Sequence, residues 1–304
     1  MTATLRERIG SRSTAIQYFI DEGSIRYFAD SIMDPDPRYR PETRHPRGDC
    51  TGLVAPATFF GSATGLRGIP AGDARTMSAL DLPFPSGWAN LATGDEFEFY
   101  SPVTAGMTLM AHERLLDTYE KQGRSGRLIF YDIEKVFARS DGEPVLRRVL
   151  HCAAREPLPV RSLDAGPTPE PVGNGLELPH LVVGPVLVRH LAMFATATAE
   201  FVDIHYDADY ARSVGLPGPI IQGLYKTALM ARLLKDWTGD SLRIRSLSVQ
   251  HRAMDLAGNT LTVGGSIDTG AASARHGEDI ICGVWVRNQA GLVTSLGSAR
   301  VAAD

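Results

Sequence analysis

The chain has 304 residues, 43% of them hydrophobic and 22% charged, enough for two ordinary domains that each bury a core. The formal net charge of −4 comes with lysines and arginines spread along the sequence and no basic block interleaved with aromatics, which argues against a nucleic-acid partner; no apolar run reaches the roughly 18 residues of a membrane span, and Met1 to Arg8 lack a signal peptide's apolar stretch. Cys50, Cys152 and Cys282 are far apart and odd in number, so neither a disulfide framework nor a zinc site is expected, and a cytoplasmic protein with reduced thiols is the plain reading.

Along the chain, a short strand is expected at about Ala15–Phe19, then a small helix at Ile25–Met33 with Ser24 as its N-cap. After an irregular loop, the apolar stretch Ala57–Leu66 reads as a longer helix carrying Phe59, Phe60 and the small residues Gly61, Ala63 and Gly65. Period-two alternation then marks strands at Glu96–Tyr100, Tyr131–Phe137 and Leu146–Ala153, with a hairpin turn at Asp141-Gly142. Residues 154–179 hold prolines at 157, 159, 167, 169, 171 and 179; these fix φ and remove donors, so an extended surface linker is expected. Beyond it the order recurs: a strand at about Val186–Val188, a helix at Leu191–Thr198, a loop, and an apolar helix at Ile221–Trp237. Strands follow at Ser246–Gln250, Ile280–Arg287 and Val293–Val301, with a turn at Ala290-Gly291.

Three collinear matches make this an internal repeat. Phe28 to Asp34 with Tyr39 aligns without a gap on Phe194 to Glu200 with His205. Leu53-Val-Ala-Pro parallels Ile220-Ile-Gln-Gly, and Ala105-Gly-Met-Thr-Leu parallels Ala257-Gly-Asn-Thr-Leu. A helix followed by antiparallel strands is an α+β unit, a sheet wrapped around one helix; two in one chain suggest a pseudo-dimer whose sheets join edge to edge. The expected divisions are residues 1–153, a linker over 154–179, and 180–304.

The densest cluster of reactive groups lies in the second copy. Glu200, then Val202, Ile204-His205 and Asp207, precede Gly218-Pro-Ile-Ile-Gln-Gly223. This pattern resembles the MaoC-like dehydratases, or R-specific enoyl-CoA hydratases, of the hotdog fold. Their signature is an Asp, a His five residues later in an Ile-His-x-Asp setting, and a glycine-rich turn into the central helix. The 23 positions from Glu200 to Gly223 fit that pattern, and residues 11–153 look like the first hotdog of double-hotdog members. Glu200 stands where the family has Asp, Val202 where Asn is common, and Gln222 where His is common.

The resemblance implies hydration of a 2-enoyl thioester, or dehydration of a 3-hydroxyacyl thioester. Glu200 and His205 would hold and activate the water, and the Gly223 N–H would face the enolate oxygen from the helix's positive end. Which of Glu200 and His205 is acid and which is base stays open. Val202, Asp207, Gly218, Ile221, Gln222 and Phe60 are the candidate substrate contacts, although Asp207 is favoured as a loop-positioning or capping residue. Tyr39 in place of the imidazole makes Asp34, Asp36 and Tyr39 structural support, and the first half a wall for the acyl group. No metal or redox cofactor is implied, and coenzyme A enters as part of the substrate. Arg189, Lys226 and Arg252 are candidates for its phosphates. A dehydratase acting on carrier-protein-linked polyketide or fatty-acyl chains, a non-catalytic acyl-thioester-binding subunit and, more weakly, a thioesterase are the alternatives. A homo-oligomer is left open.

Overall fold

The computed structural model describes residues 2–40, 52–60, 62–64, 80, 82–84, 88–123, 126–155, 175–198, 200–268 and 279–303. The first half contains α1 (Thr2–Arg6), β1 (Ile16–Phe19), α2 (Glu22–Ser31), β2 (Ser62–Thr64), β3 (Ala89–Phe99), β4 (Thr108–Gly123), β5 (Gly126–Ala138) and β6 (Pro144–Arg155). The second contains β7 (Leu181–Val183), α3 (Val188–Thr198), α4 (Ala208–Ser213), α5 (Gly223–Thr238), β8 (Ile244–His251), β9 (Leu261–Ile267), β10 (Ile280–Asn288) and β11 (Val293–Val301).

All the strands form one antiparallel sheet in the order β2-β1-β4-β5-β6-β3-β8-β11-β10-β9-β7. The halves meet where β3 pairs with β8, Asp95 opposite Val249 and Phe97 opposite Leu247. Each half would otherwise leave a strand edge unpaired there, and the join removes both. This is the expected double hotdog, with its two sheets continuous rather than merely adjacent.

Helix α5 packs against β8, β9 and β10 of the second half and against β3 of the first. Leu224, Tyr225, Ala228, Leu229, Met230, Leu233 and Leu234 are all buried, so the helix is apolar on most of its circumference and has no solvent stripe. It ends at Gly239, whose φ of 76° closes the helix in the left-handed region. Helices α2 and α3 pack on each other, with the Phe28 and Phe194 ring centroids 5.1 Å apart, so the repeat-related phenylalanines meet at the pseudo-axis.

Of the other repeat matches, that of Ala105–Leu109 on Ala257–Leu261 holds in backbone geometry, while that of Leu53 on Ile220 is out by one residue: Val54, not Leu53, bridges Thr104 as Ile220 bridges Leu256. Gly106 and Gly258 turn with φ of 88° and 95°, donating to the carbonyls of Ile20 and Val186 respectively.

Several local expectations need correction. Asp21, not Ser24, is the N-cap of α2: its Oδ1 accepts from the Ser24 N–H at 2.8 Å. The strand expected at Val186–Val188 lies at Leu181–Val183 instead, because the chain turns at Gly184-Pro185 and Val188 already opens α3. The helix expected over Ala57–Leu66 is absent from its described part. The Phe59 N–H closes a turn on the Pro56 carbonyl, and Ser62–Thr64 pairs with β1. Two glycines within that stretch, each worth about 1 kcal/mol against a helix interior, tilt the choice toward the edge strand. The linker is shorter at both ends than expected. Ala154 and Arg155 complete β6, and Glu177 bridges Ser266; residues 156–174, with most of its prolines, lie outside the described residues, as does Cys50. Cys152 and Cys282 are buried thiols outside any disulfide. Among the described residues no helix is long and apolar enough to cross a membrane.

Candidate active site

The chain leaves α3 into a loop whose apolar side anchors it. Val202 and Ile204 pack with Ala211, Leu216, Ile220 and Leu91. A single 3-10 turn, Asp203–His205, then directs His205 inward, and the Ile220 N–H donates to the Ile204 carbonyl at 3.1 Å. Asp207 caps α4, its Oδ1 accepting from the N–H groups of Asp209 and Tyr210 at 2.9 Å each.

His205 is buried, and its Nδ1 lies 2.8 Å from the Ile220 carbonyl oxygen. A carbonyl can only accept, so Nδ1 carries the proton and the neutral ring keeps its lone pair on Nε2. Burial lowers the imidazole pKa to about 4, against the smaller raising effect of that hydrogen bond. The ring is therefore neutral near pH 7 and can accept a proton.

Gly218 begins the turn into α5 and has open space where a Cβ would sit. The Ile221 N–H donates to the Asp255 carbonyl at 2.8 Å, and its side chain is buried. Gln222 is the N-cap residue, yet it makes no side-chain cap bond to the helix. Its Nε2 donates instead to the Leu191 carbonyl at 3.0 Å, while its buried Oε1 has no partner. The first N–H groups of α5 are thus free of a side-chain cap, with the positive helix end behind them.

Gly223 opens α5 against the ring of His251. A Cβ there would lie 2.7 Å from both Cδ2 and Nε2 of His251, closer than real contacts allow. His251 Nδ1 is 3.0 Å from Ser295 Oγ, and Nε2 is 3.5 Å from Asp95 Oδ2 with no closer partner. Burial lowers its pKa, and Asp95 opposes the shift.

Glu200 is roughly one-third exposed (35%), and its Oε1 accepts from Arg148 Nη1 at 3.0 Å. The same guanidinium binds Asp95 Oδ1 through Nε at 2.8 Å and Nη2 at 2.7 Å. Asp95 Oδ2 accepts from Thr227 Oγ1 on α5 at 3.2 Å. Burial alone would raise the Asp95 pKa, but Arg148 and His251 outweigh it and hold the carboxyl well below the usual range. Phe60 is buried beside this cation, its ring centroid 5.5 Å from the guanidinium carbon, as is that of Phe97.

Asp95, Arg148, Thr227 and His251 were not singled out by the sequence reading. A signal was present for two of them. Asp95 shares its face of β3 with Phe97 and Phe99, and Arg148 lies between buried neighbours on β6, so each places a charge where the alternation calls for an apolar residue.

The first-half counterpart of this loop is occupied differently. Asp34 and Asp36 bind Lys235 of α5, with Nζ 2.8 Å from Asp34 Oδ2 and 2.9 Å from Asp36 Oδ2, and Tyr39 stacks under the same ammonium at 5.2 Å. Lys226, a candidate for coenzyme A phosphates, is buried, its Nζ donating to the Ala253 carbonyl at 2.9 Å and to Asp255 at 3.2 Å. Arg189 and Arg252 remain exposed.

A family model described as a MaoC-like domain matches residues 179–276, and one for the FAS1-like dehydratase domain region matches residues 7–148. The second half of the chain is a MaoC-like domain. The chain is 25% identical over 180 residues to the mesaconyl-C(4)-CoA hydratase of Chloroflexus aurantiacus, covering 58% of this chain and 60% of that protein. It is 33% identical over 73 residues to the 3-oxo-4,17-pregnadiene-20-carboxyl-CoA hydratase beta subunit of Mycobacterium tuberculosis, covering 24% of this chain and 57% of that protein. The matches thus span less than two thirds of either relative. A solved structure of a MaoC-like dehydratase, 19% identical, superposes with a TM-score of 0.75 over 98% of this chain and 99% of that one, which is a likeness of fold.

Proposed function

We propose that the chain adds water across the double bond of a 2-enoyl thioester, or removes it from a 3-hydroxyacyl thioester, with coenzyme A as the carrier. The observation that carries the reading is His205: a buried neutral imidazole with its Nδ1 proton committed to the Ile220 carbonyl, on the same short loop as Glu200. Such a ring acts as the base. The water oxygen bonds to C3 while one of its protons passes to His205 Nε2, Glu200 holds the other side of the water, and the same set returns a proton to C2. Negative charge that grows on the thioester oxygen faces the N–H groups at the start of α5, Gly223 among them, which need not reorganise to stabilise it.

The two relatives named as CoA hydratases support the carrier and the reaction class. Residues 180–304 then carry the chemistry, and residues 1–153, whose loop holds Tyr39, form the wall. In that wall Phe60 would meet the acyl group, while Val202, Asp207, Gly218, Ile221 and Gln222 shape the loop and turn around it. Neither metal nor redox chemistry is required, because the thioester itself delocalises the charge.

The test is turnover of crotonyl-CoA, followed as loss of enoyl-thioester absorbance, extended to straight, branched and dicarboxylic enoyl-CoA thioesters compared by kcat/KM. At least one is expected to be hydrated, and His205→Ala to lower its rate by 100-fold or more. An unchanged rate in that variant would remove His205 from the site.

A further inference from the structure

We propose that Arg148 is a positioning residue for the Glu200 carboxylate, so that the half of the chain whose own loop holds Tyr39 in place of the imidazole completes the acid–base loop of the other half. The inference rests on the hydratase reading and assigns that site a component from outside its own loop.

Arg148 lies on β6, only 5% exposed, and cannot wander. Two of its nitrogens are fixed on Asp95 Oδ1, and its plane is held beside Phe60 and Phe97, each ring centroid 5.5 Å from the guanidinium carbon. The remaining nitrogen, Nη1, points at Glu200 Oε1 from 3.0 Å. A planar fork held in this way fixes the direction of a carboxylate as well as its charge. Among the described residues Glu200 Oε2 makes no hydrogen bond, so one oxygen is anchored and the other is left for water. Asp95 continues the chain of contacts to Thr227 on α5. The acid and the helix whose first N–H groups face the substrate are thereby set on one frame.

The arrangement also accounts for the longer acid at position 200. An Asp there would withdraw the carboxylate by about 1.5 Å, one carbon–carbon bond, and a contact of 3.0 Å would pass beyond hydrogen-bond range. The first half shows the same device in the opposite direction: Asp34, the repeat partner of Glu200, is held by Lys235 from the second half. Each acid of the repeat is gripped by a cation from the other copy.

Two substitutions test the role in the whole chain. Glu200→Asp leaves the buried Arg148–Asp95 pair intact, and Arg148→Lys keeps the buried charge while losing the fork. On the best enoyl-CoA substrate each is expected to lower kcat by 10- to 100-fold with KM within about three-fold of wild type. A structural role alone would not split the two constants in that way. If either variant keeps kcat within three-fold of wild type, the positioning role is overturned. The contact is read separately from turnover by a double-mutant cycle in urea on Glu200→Gln, Arg148→Lys and the pair. Non-additive shifts in stability support the contact, and strictly additive ones overturn it. A wild-type chain inactive on every enoyl-CoA would overturn the hydratase reading and the purpose given to Arg148, while the cycle still decides whether the two side chains are coupled.

Discussion

His205 makes a pH-dependent contribution to stability whose sign and size follow from its burial. In the folded protein its pKa is lowered to about 4, chiefly by desolvation, against 6.5 for the free group. Above pH 6.5 the ring is neutral in both states and adds no pH dependence. As the pH falls the unfolded chain takes up a proton that the folded ring refuses, so stability is lost from about pH 6.5 down to about pH 4. The gap spans roughly 2.5 pH units at about 1.4 kcal/mol each, or about 3 kcal/mol in all. Other groups titrate in the same window, so the informative quantity is a difference. His205→Asn keeps a donor near the Ile220 carbonyl and has no titrating ring. Urea unfolding of wild type and variant between pH 7.5 and 4 should show the wild-type advantage shrinking by about 3 kcal/mol. A difference that stays flat would refute the buried neutral imidazole, and with it the base assigned above. In turnover, the acid limb belonging to His205 should fall near pH 4 and not near 6.5.

Gly223→Ala pushes a methyl group into the His251 ring, 2.7 Å from two of its atoms; a stability loss of about 1–3 kcal/mol is expected, with a drop in kcat, measured by thermal unfolding and turnover. A fully stable and active variant would show that the close approach is dispensable. Asp207→Ala removes the cap of α4 and should cost about 1 kcal/mol with KM unchanged, whereas a ten-fold rise in KM would make Asp207 a substrate contact. Lys235→Met strands Asp34 in the core, and loss of about 3–5 kcal/mol is expected by urea unfolding; a neutral result would mean that Arg232, 3.9 Å from Asp34, already compensates.

What the sequence revealed about the fold came through repetition and period. The Phe28/Phe194 match, the paired Ala-Gly turns and the alternation in the strands each depend on neighbours a few residues apart, and each reappears in the structure. The failures share a cause. Ala57–Leu66 is apolar without a decisive period, and its place beside β1, together with two glycines that weaken a helix, makes part of it a strand. Asp21 took the cap because one side-chain bond decides a helix start, and Ser24 offered an equally plausible one. Among the residues proposed for the site, Glu200, His205 and Gly223 could be picked out together because they lie within one continuous stretch. Arg148 and Asp95 showed only as charges out of phase with the alternation of their strands, and their convergence with His251 from β6, β3 and β8 crosses a join that no local pattern encodes.

The crossed grips of Asp34 by Lys235 and of Glu200 by Arg148 bear on how freely the two copies can differ. Two identical chains paired about an axis must carry every residue in both places, so a tyrosine that suits one loop would delete the imidazole of the other. A peptide connection lifts that symmetry. Tyr39 and His205, Asp34 and Glu200, Lys235 and Arg148 can each be chosen for one place only. On the hydratase reading, a molecule with two copies of the fold then holds one reacting thioester, and binding should saturate at one ligand per chain instead of two.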